Sequence, residues 1–111
     1  MKKQENTNID ISLLGKSVEL HGWVSKKRNL GGLIFIDLRD RSGIIQLVVN
    51  PDNEYYEIAS NLKNEFVIKV IGIVQKRENP NKNLITGEIE VIVRIFTFLY
   101  YTCYFYNKFI F

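Results

Sequence analysis

The chain has 111 residues, 46% of them apolar and 24% charged, with a formal charge of +3. That size holds one domain with a modest core, and the composition is that of an ordinary globular protein. One cysteine, Cys103, and one histidine, His21, exclude a disulfide framework and a Cys/His metal cluster, while the mild basic excess is compatible with a polyanionic partner without requiring one.

Residues Met1 to Asn8 are polar and no apolar run follows them. No signal peptide is expected, and a reducing cytoplasm is the expected location. Residues 1–13 are expected to form a polar N-terminal extension. From Ser17 to Val24 apolar and polar residues alternate, the period of a strand, and the strand runs on into Lys26-Lys27-Arg28. Gly31-Gly32 marks a turn that needs positive φ. Leu33 to Arg39 is a second strand, and its nearly continuous apolar run predicts cover on both faces. A tight turn at Asp40-Arg41-Ser42-Gly43 leads to a third strand, Ile44 to Val49, closed by Asn50-Pro51. The period then changes. Tyr55, Ile58, Ala59 and Leu62 recur at helical spacing behind Asp52, which predicts a short capped helix over Asn53 to Lys63. Phe66 to Gln75 is a fourth strand, and Gly87 to Val93, after a polar loop, is a fifth.

Three meandering strands, a helix, then two more strands is the order of the OB-fold, a five-stranded barrel with its helix between strands three and four. The predicted class is all-β with one short helix, and the domain is expected over residues 14–93. An SH3-like barrel and an open α+β sheet are the alternatives; the helix position favours the OB-fold.

Residues 95–111 do not fit this pattern. Thirteen of these 17 are apolar, nine of the 14 aromatics lie here, and Lys108 is the only charge. The stretch is short of the ~20 apolar residues that span a bilayer, so no membrane partner is expected. A sixth strand or self-association edge would be aggregation-prone. Out-of-frame translation of A/T-rich DNA gives the same composition, and that reading is favoured for residues 94–111, with the strand second.

No acid–base pair, nucleophile set or phosphate loop stands out, so no catalytic residue, metal or cofactor is expected. A binding site is easier to build. OB-folds hold single strands on the face of strands two and three. That face needs an aromatic to stack on a base, amides or carboxylates to read base edges, and cations to meet phosphate. Phe35, Gln46, Glu90, and Lys26, Lys27 and Arg28 lie on suitable elements. Each also has a simpler reading: Phe35 as core, Gln46 and Glu90 as solvent-facing strand residues, the basic run as a solvated strand end.

The wording of the chain bears on that choice. Gly22-Trp23-Val24, Gly31-Gly32-Leu33-Ile34-Phe35-Ile36-Asp37-Leu38-Arg39-Asp40-Arg41, Gly43-Ile44, Gln46, Asn50-Pro51 and Thr86-Gly87-Glu88-Ile89-Glu90-Val91 together resemble the N-terminal anticodon-binding domain of bacterial-type aspartyl-tRNA synthetases, over about Leu14 to Ile92. The resemblance implies an aspartate tRNA as partner and no small-molecule substrate. It implies that Phe35 stacks on the middle anticodon base, a uridine, and that Gln46 hydrogen-bonds it. It implies that Glu90 reads the first base, a guanine or its modified form, and that Arg28 meets the third. Lys26 and Lys27 follow the phosphates where the family usually has arginines, and Asn79 and Asn81 are further candidate contacts. The family's catalytic domain has no counterpart after Val93, so the resemblance implies a fragment that keeps recognition and lacks aminoacylation.

Overall fold

Alternation along the first long strand builds the barrel's hinge element. The computed structural model describes residues 2–101. In chain order it contains β1 (Lys3–Gln4), β2 (Ser17–Leu30), β3 (Leu33–Arg39), β4 (Ile44–Val49), α1 (Tyr56–Ser60), β5 (Val67–Lys76) and β6 (Ile89–Tyr100). The sheet order is β1-β2-β3-β4-β6-β5, and β2 also pairs with β5. That last pairing turns the five long strands into a ring. All these pairs are antiparallel except β1–β2 and β4–β6. The fold is the predicted OB-fold, with α1 between the third and fourth ring strands.

Strand β2 serves two neighbours. Its first half pairs with β5, from Ser17 opposite Ile73 to Trp23 opposite Val67. Its second half pairs with β3, down to Leu30 opposite Leu33, with a bulge between Val24 and Lys26. Gly22 sits at the crossing, where a Cβ would lie 2.3 Å from the Arg39 carbonyl oxygen. Gly72 does the same on β5, 2.3 Å from the Ile92 carbonyl oxygen and beside a second bulge. Glycine and bulge together let a twisted sheet bend closed.

The core lies inside this ring. Leu20, Ile36, Leu38, Ile45, Leu47 and Val91 are fully buried. Residues before the expected boundary at residue 14 pack against the ring. Ile9 is 1% exposed and belongs to the core. Asn6 is buried, and its Nδ2 donates to the carbonyls of Leu38 and Gly43 at 2.9 and 3.0 Å. Two short 3-10 turns, Asn6–Asn8 and Ile11–Leu13, carry these residues over the barrel end. Asn6, Ile9 and the partly buried Leu13 thus tie this segment to the barrel.

The helix is shorter than its periodicity suggested, five residues. Asn53, not Asp52, organises its approach: Asn53 Oδ1 accepts the Tyr55 N–H at 2.7 Å and Nδ2 donates to the Val93 carbonyl at 2.9 Å. Ala59 and Leu62 are buried as the spacing required, but Ile58 is half exposed.

Strand β6 runs seven residues past Val93, through Tyr100, still paired with β5. Phe96 is buried, Phe66 meets Phe98 and Tyr101 ring edge to ring face with centroids 5.4 and 5.6 Å apart, and Phe98 and Tyr101 lie tilted at 4.7 Å. Residues 94–100 thus continue the fifth ring strand rather than forming a separate sixth. Residues 102–111, with most of the aromatic stretch, lie outside the described residues, and so does Cys103. No helix among the described residues is long and apolar enough to cross a membrane.

His21 lies on β2 with Nε2 2.9 Å from Glu19 Oε2. Burial lowers its pKa, against the pull of the Glu19 hydrogen bond and charge; Lys3 and Lys69 lower it further. The unfolded ring, near its ordinary ~6.5, then binds protons more readily than the folded one. Stability should be complete above that pH and decline as pH falls towards the lowered folded value. Thermal midpoints between pH 7 and 5 should show a decline in the native chain that is smaller in His21→Gln.

Candidate nucleic-acid interface

Strand alternation decides which side chains meet outside the barrel. On β3, Ile34, Ile36 and Leu38 point into the core, so Leu33, Phe35 and Asp37 point outward. Register then aligns their neighbours. Arg28 lies opposite Phe35, and Phe35 opposite Val48. Asp37 lies opposite Gln46, Gln46 opposite Glu90, and Glu90 opposite Gln75. A polar row therefore crosses β3, β4, β6 and β5 beside an aromatic. Arg28, Phe35, Gln46, Glu90 and Gln75 line a surface cavity of about 370 Å³ with Arg77, Asn79 and Asn50.

The row is hydrogen-bonded end to end. An Arg28 terminal nitrogen donates to Asp37 Oδ1 at 3.1 Å and to Gln46 Oε1 at 3.0 Å. Gln46 Nε2 donates to Glu90 Oε1 at 2.7 Å. Gln75 Nε2 donates to Glu90 Oε2 at 2.6 Å. Guanidinium has only donors and carboxylate only acceptors, so the amide of Gln46 has one allowed orientation. Gln46 and Glu90 are only 6% and 8% exposed, which ties their orientation to these partners. The Arg28 guanidinium also lies 5.8 Å from the Phe35 ring centroid, within cation–π range. Its Nε is buried with no hydrogen-bond partner among the described residues.

Arg77 adds a second cation. Its Nε donates to the Ile89 carbonyl at 3.4 Å. Burial lowers its pKa, the charges of Asp37 and Glu90 raise it, and Arg28 lowers it again. The Arg28 and Arg77 cations thus stand within electrostatic reach of the Asp37 and Glu90 carboxylates. A stacking ring, polar edges held in fixed orientation and half-buried cations are what a single-stranded nucleic acid requires.

Residues 18–98 match the tRNA anticodon family described as an OB-fold nucleic acid binding domain. The chain belongs to this family. Over 84 residues it is 56% identical to an aspartate–tRNA ligase of Streptococcus thermophilus, 73% of this chain and 14% of that one. Over 88 residues it is 48% identical to that of Exiguobacterium sibiricum, 78% and 15%. Among solved structures, asparaginyl-tRNA synthetase from Pyrococcus horikoshii complexed with asparaginyl-adenylate superposes with a TM-score of 0.80 at 32% identity, over 90% of this chain and 23% of that one. The chain therefore spans about a seventh of the length of the curated relatives it matches.

Within this anticodon-binding OB-fold, the structure brings Phe35, Gln46, Glu90, Arg28 and Asn79 to one cavity. It does not bring the other expected residues there. Lys26 is exposed opposite Asp37, beside the cavity but outside its wall. Lys27 faces the other side of β2, where its amine bonds the Ser60 carbonyl at the end of α1. Asn81 is occupied by its own loop: Oδ1 accepts the Asn83 N–H at 2.9 Å, and its backbone packs against Gly87. Gln75 and Arg77 were not singled out from the sequence. Gln75 ends an alternating strand as one more polar residue, and only its register with Glu90 gives it a role.

Proposed function

We propose that this chain binds the anticodon loop of an aspartate tRNA, with tRNA as its partner in the cytoplasm. The observation that carries the reading is the fixed Arg28–Gln46–Glu90 chain beside the partly exposed Phe35 ring. Gln46 spends one N–H on Glu90 and one lone pair on Arg28. One donor and one acceptor remain, the complement of a uridine edge. Glu90 spends one lone pair of each oxygen on an amide. Two adjacent acceptors remain, the complement of the two neighbouring N–H groups of guanine. Phe35 supplies the stacking platform for the middle base, and Arg28 supplies donors for the third base. Lys26 and Asn79 border the track of the phosphates. Names of the relatives favour aspartate as the cognate class. The matched segment is the anticodon-binding domain, and it supports no aminoacylation by these residues.

Glu90→Gln tests the first-base assignment. One acceptor becomes a donor, so preference for guanine over adenine at the first anticodon position should fall roughly tenfold. Anisotropy titrations with two stem-loops measure the ratio. An unchanged ratio would remove Glu90 from base reading.

A further inference from the structure

We infer that Gln75 is a positioning residue for Glu90 and so sets the preference for the first base; this rests on the reading of Glu90 just given. Glu90 stands between two amides at the same level of the sheet, Gln46 on β4 and Gln75 on β5. Each amide holds one carboxylate oxygen, at 2.7 and 2.6 Å. With one donor the carboxylate turns about its last bond and presents either oxygen. With a donor on each side the plane is fixed, and both remaining lone pairs face the same way. Bidentate recognition of guanine needs that plane, because two N–H groups must meet two oxygens at once. Gln46 is itself held by Arg28, whereas Gln75 belongs to the edge of the cavity. Gln75 is exposed, so its bond to Glu90 adds little to folding, and a change there reads out in binding.

The test compares native chain, Gln75→Met and Gln75→Lys on three stem-loops: the aspartate anticodon, a copy with adenine at the first position, and a copy with the middle uridine changed. Methionine keeps the length and removes the donor; lysine restores a donor. The expected result is a guanine-over-adenine ratio reduced roughly five- to tenfold in Gln75→Met and largely restored in Gln75→Lys. The middle-base ratio should stay unchanged in both. A native ratio near one would overturn the underlying assignment of Glu90. A native preference that survives Gln75→Met would overturn the role of Gln75 alone, as would a parallel loss of both ratios, which marks general disruption.

Discussion

Phe35→Ala should weaken binding to an aspartate anticodon stem-loop by about 1–3 kcal/mol, roughly 5- to 150-fold in Kd. The ring stands on the outer face of β3, partly exposed between Arg28 on β2 and Val48 on β4. The core lies on the other side of that strand, in Ile34 and Ile36. Removing the ring therefore takes away a stacking surface and leaves the barrel interior filled. Its cation–π contact with Arg28 is lost too, which loosens the guanidinium that orients Gln46. Phe35→Tyr should bind nearly as tightly as the native chain, since stacking needs only the π-face. Titration of the three proteins, with thermal melts alongside, separates binding from folding. Native affinity in Phe35→Ala would place the nucleic acid elsewhere.

Gly72→Ala should strongly destabilise the domain. The added carbon would lie 2.3 Å from the Ile92 carbonyl oxygen and 2.6 Å from Val91 Cγ1. A backbone oxygen in a strand pair has no rotamer to escape into. Strands β5 and β6 would have to part at the bulge, disturbing the buried Val70, Val91 and Val93. A loss of about 2–4 kcal/mol is expected, a large share of the roughly 5–15 kcal/mol that holds a domain together. The melting midpoint should fall by about 10–20 °C. Gly31→Ala is the contrast. Gly31 has φ 59° and nothing within 4 Å of an added Cβ, so only the left-handed backbone opposes the change, at about 1 kcal/mol. Comparable melting of the two variants would contradict the view that close strand approach at Gly72 closes the ring.

What the sequence revealed depended on how local the signal was. Period two in Val18, Leu20, Gly22 and Val24, the glycine turn and the helix spacing around Ala59 are local, and they locate five strands and one helix. The parallel pairing of β4 with β6 is not local. Nothing in Ile44–Val49 names Glu90 as the neighbour of Gln46. The apolar run of β3 obscured Phe35, because a stacking face and a core face both use apolar residues. Ile9 and Asn6 sit in a polar stretch whose average hides two buried positions. The aromatic density after Arg94 masked an alternation in which Phe96 turns inward. Gln75 and Arg77 became visible only when register set them beside Glu90 and the cavity.

Selection of the middle base depends most heavily on the fixed amide of Gln46. Cytidine exchanges the donor and acceptor of a uridine edge. A free amide would flip to match it, but Gln46 cannot flip without setting donors against Arg28 and an oxygen against Glu90. The decisive measurement is a titration of the native chain against an aspartate anticodon stem-loop and a copy with the middle uridine changed to cytidine, at one moderate salt concentration. Binding to the uridine loop should be at least roughly tenfold tighter. Equal affinity for both would contradict base reading by Gln46 and leave a single-strand binder that follows phosphates and stacks bases without reading them.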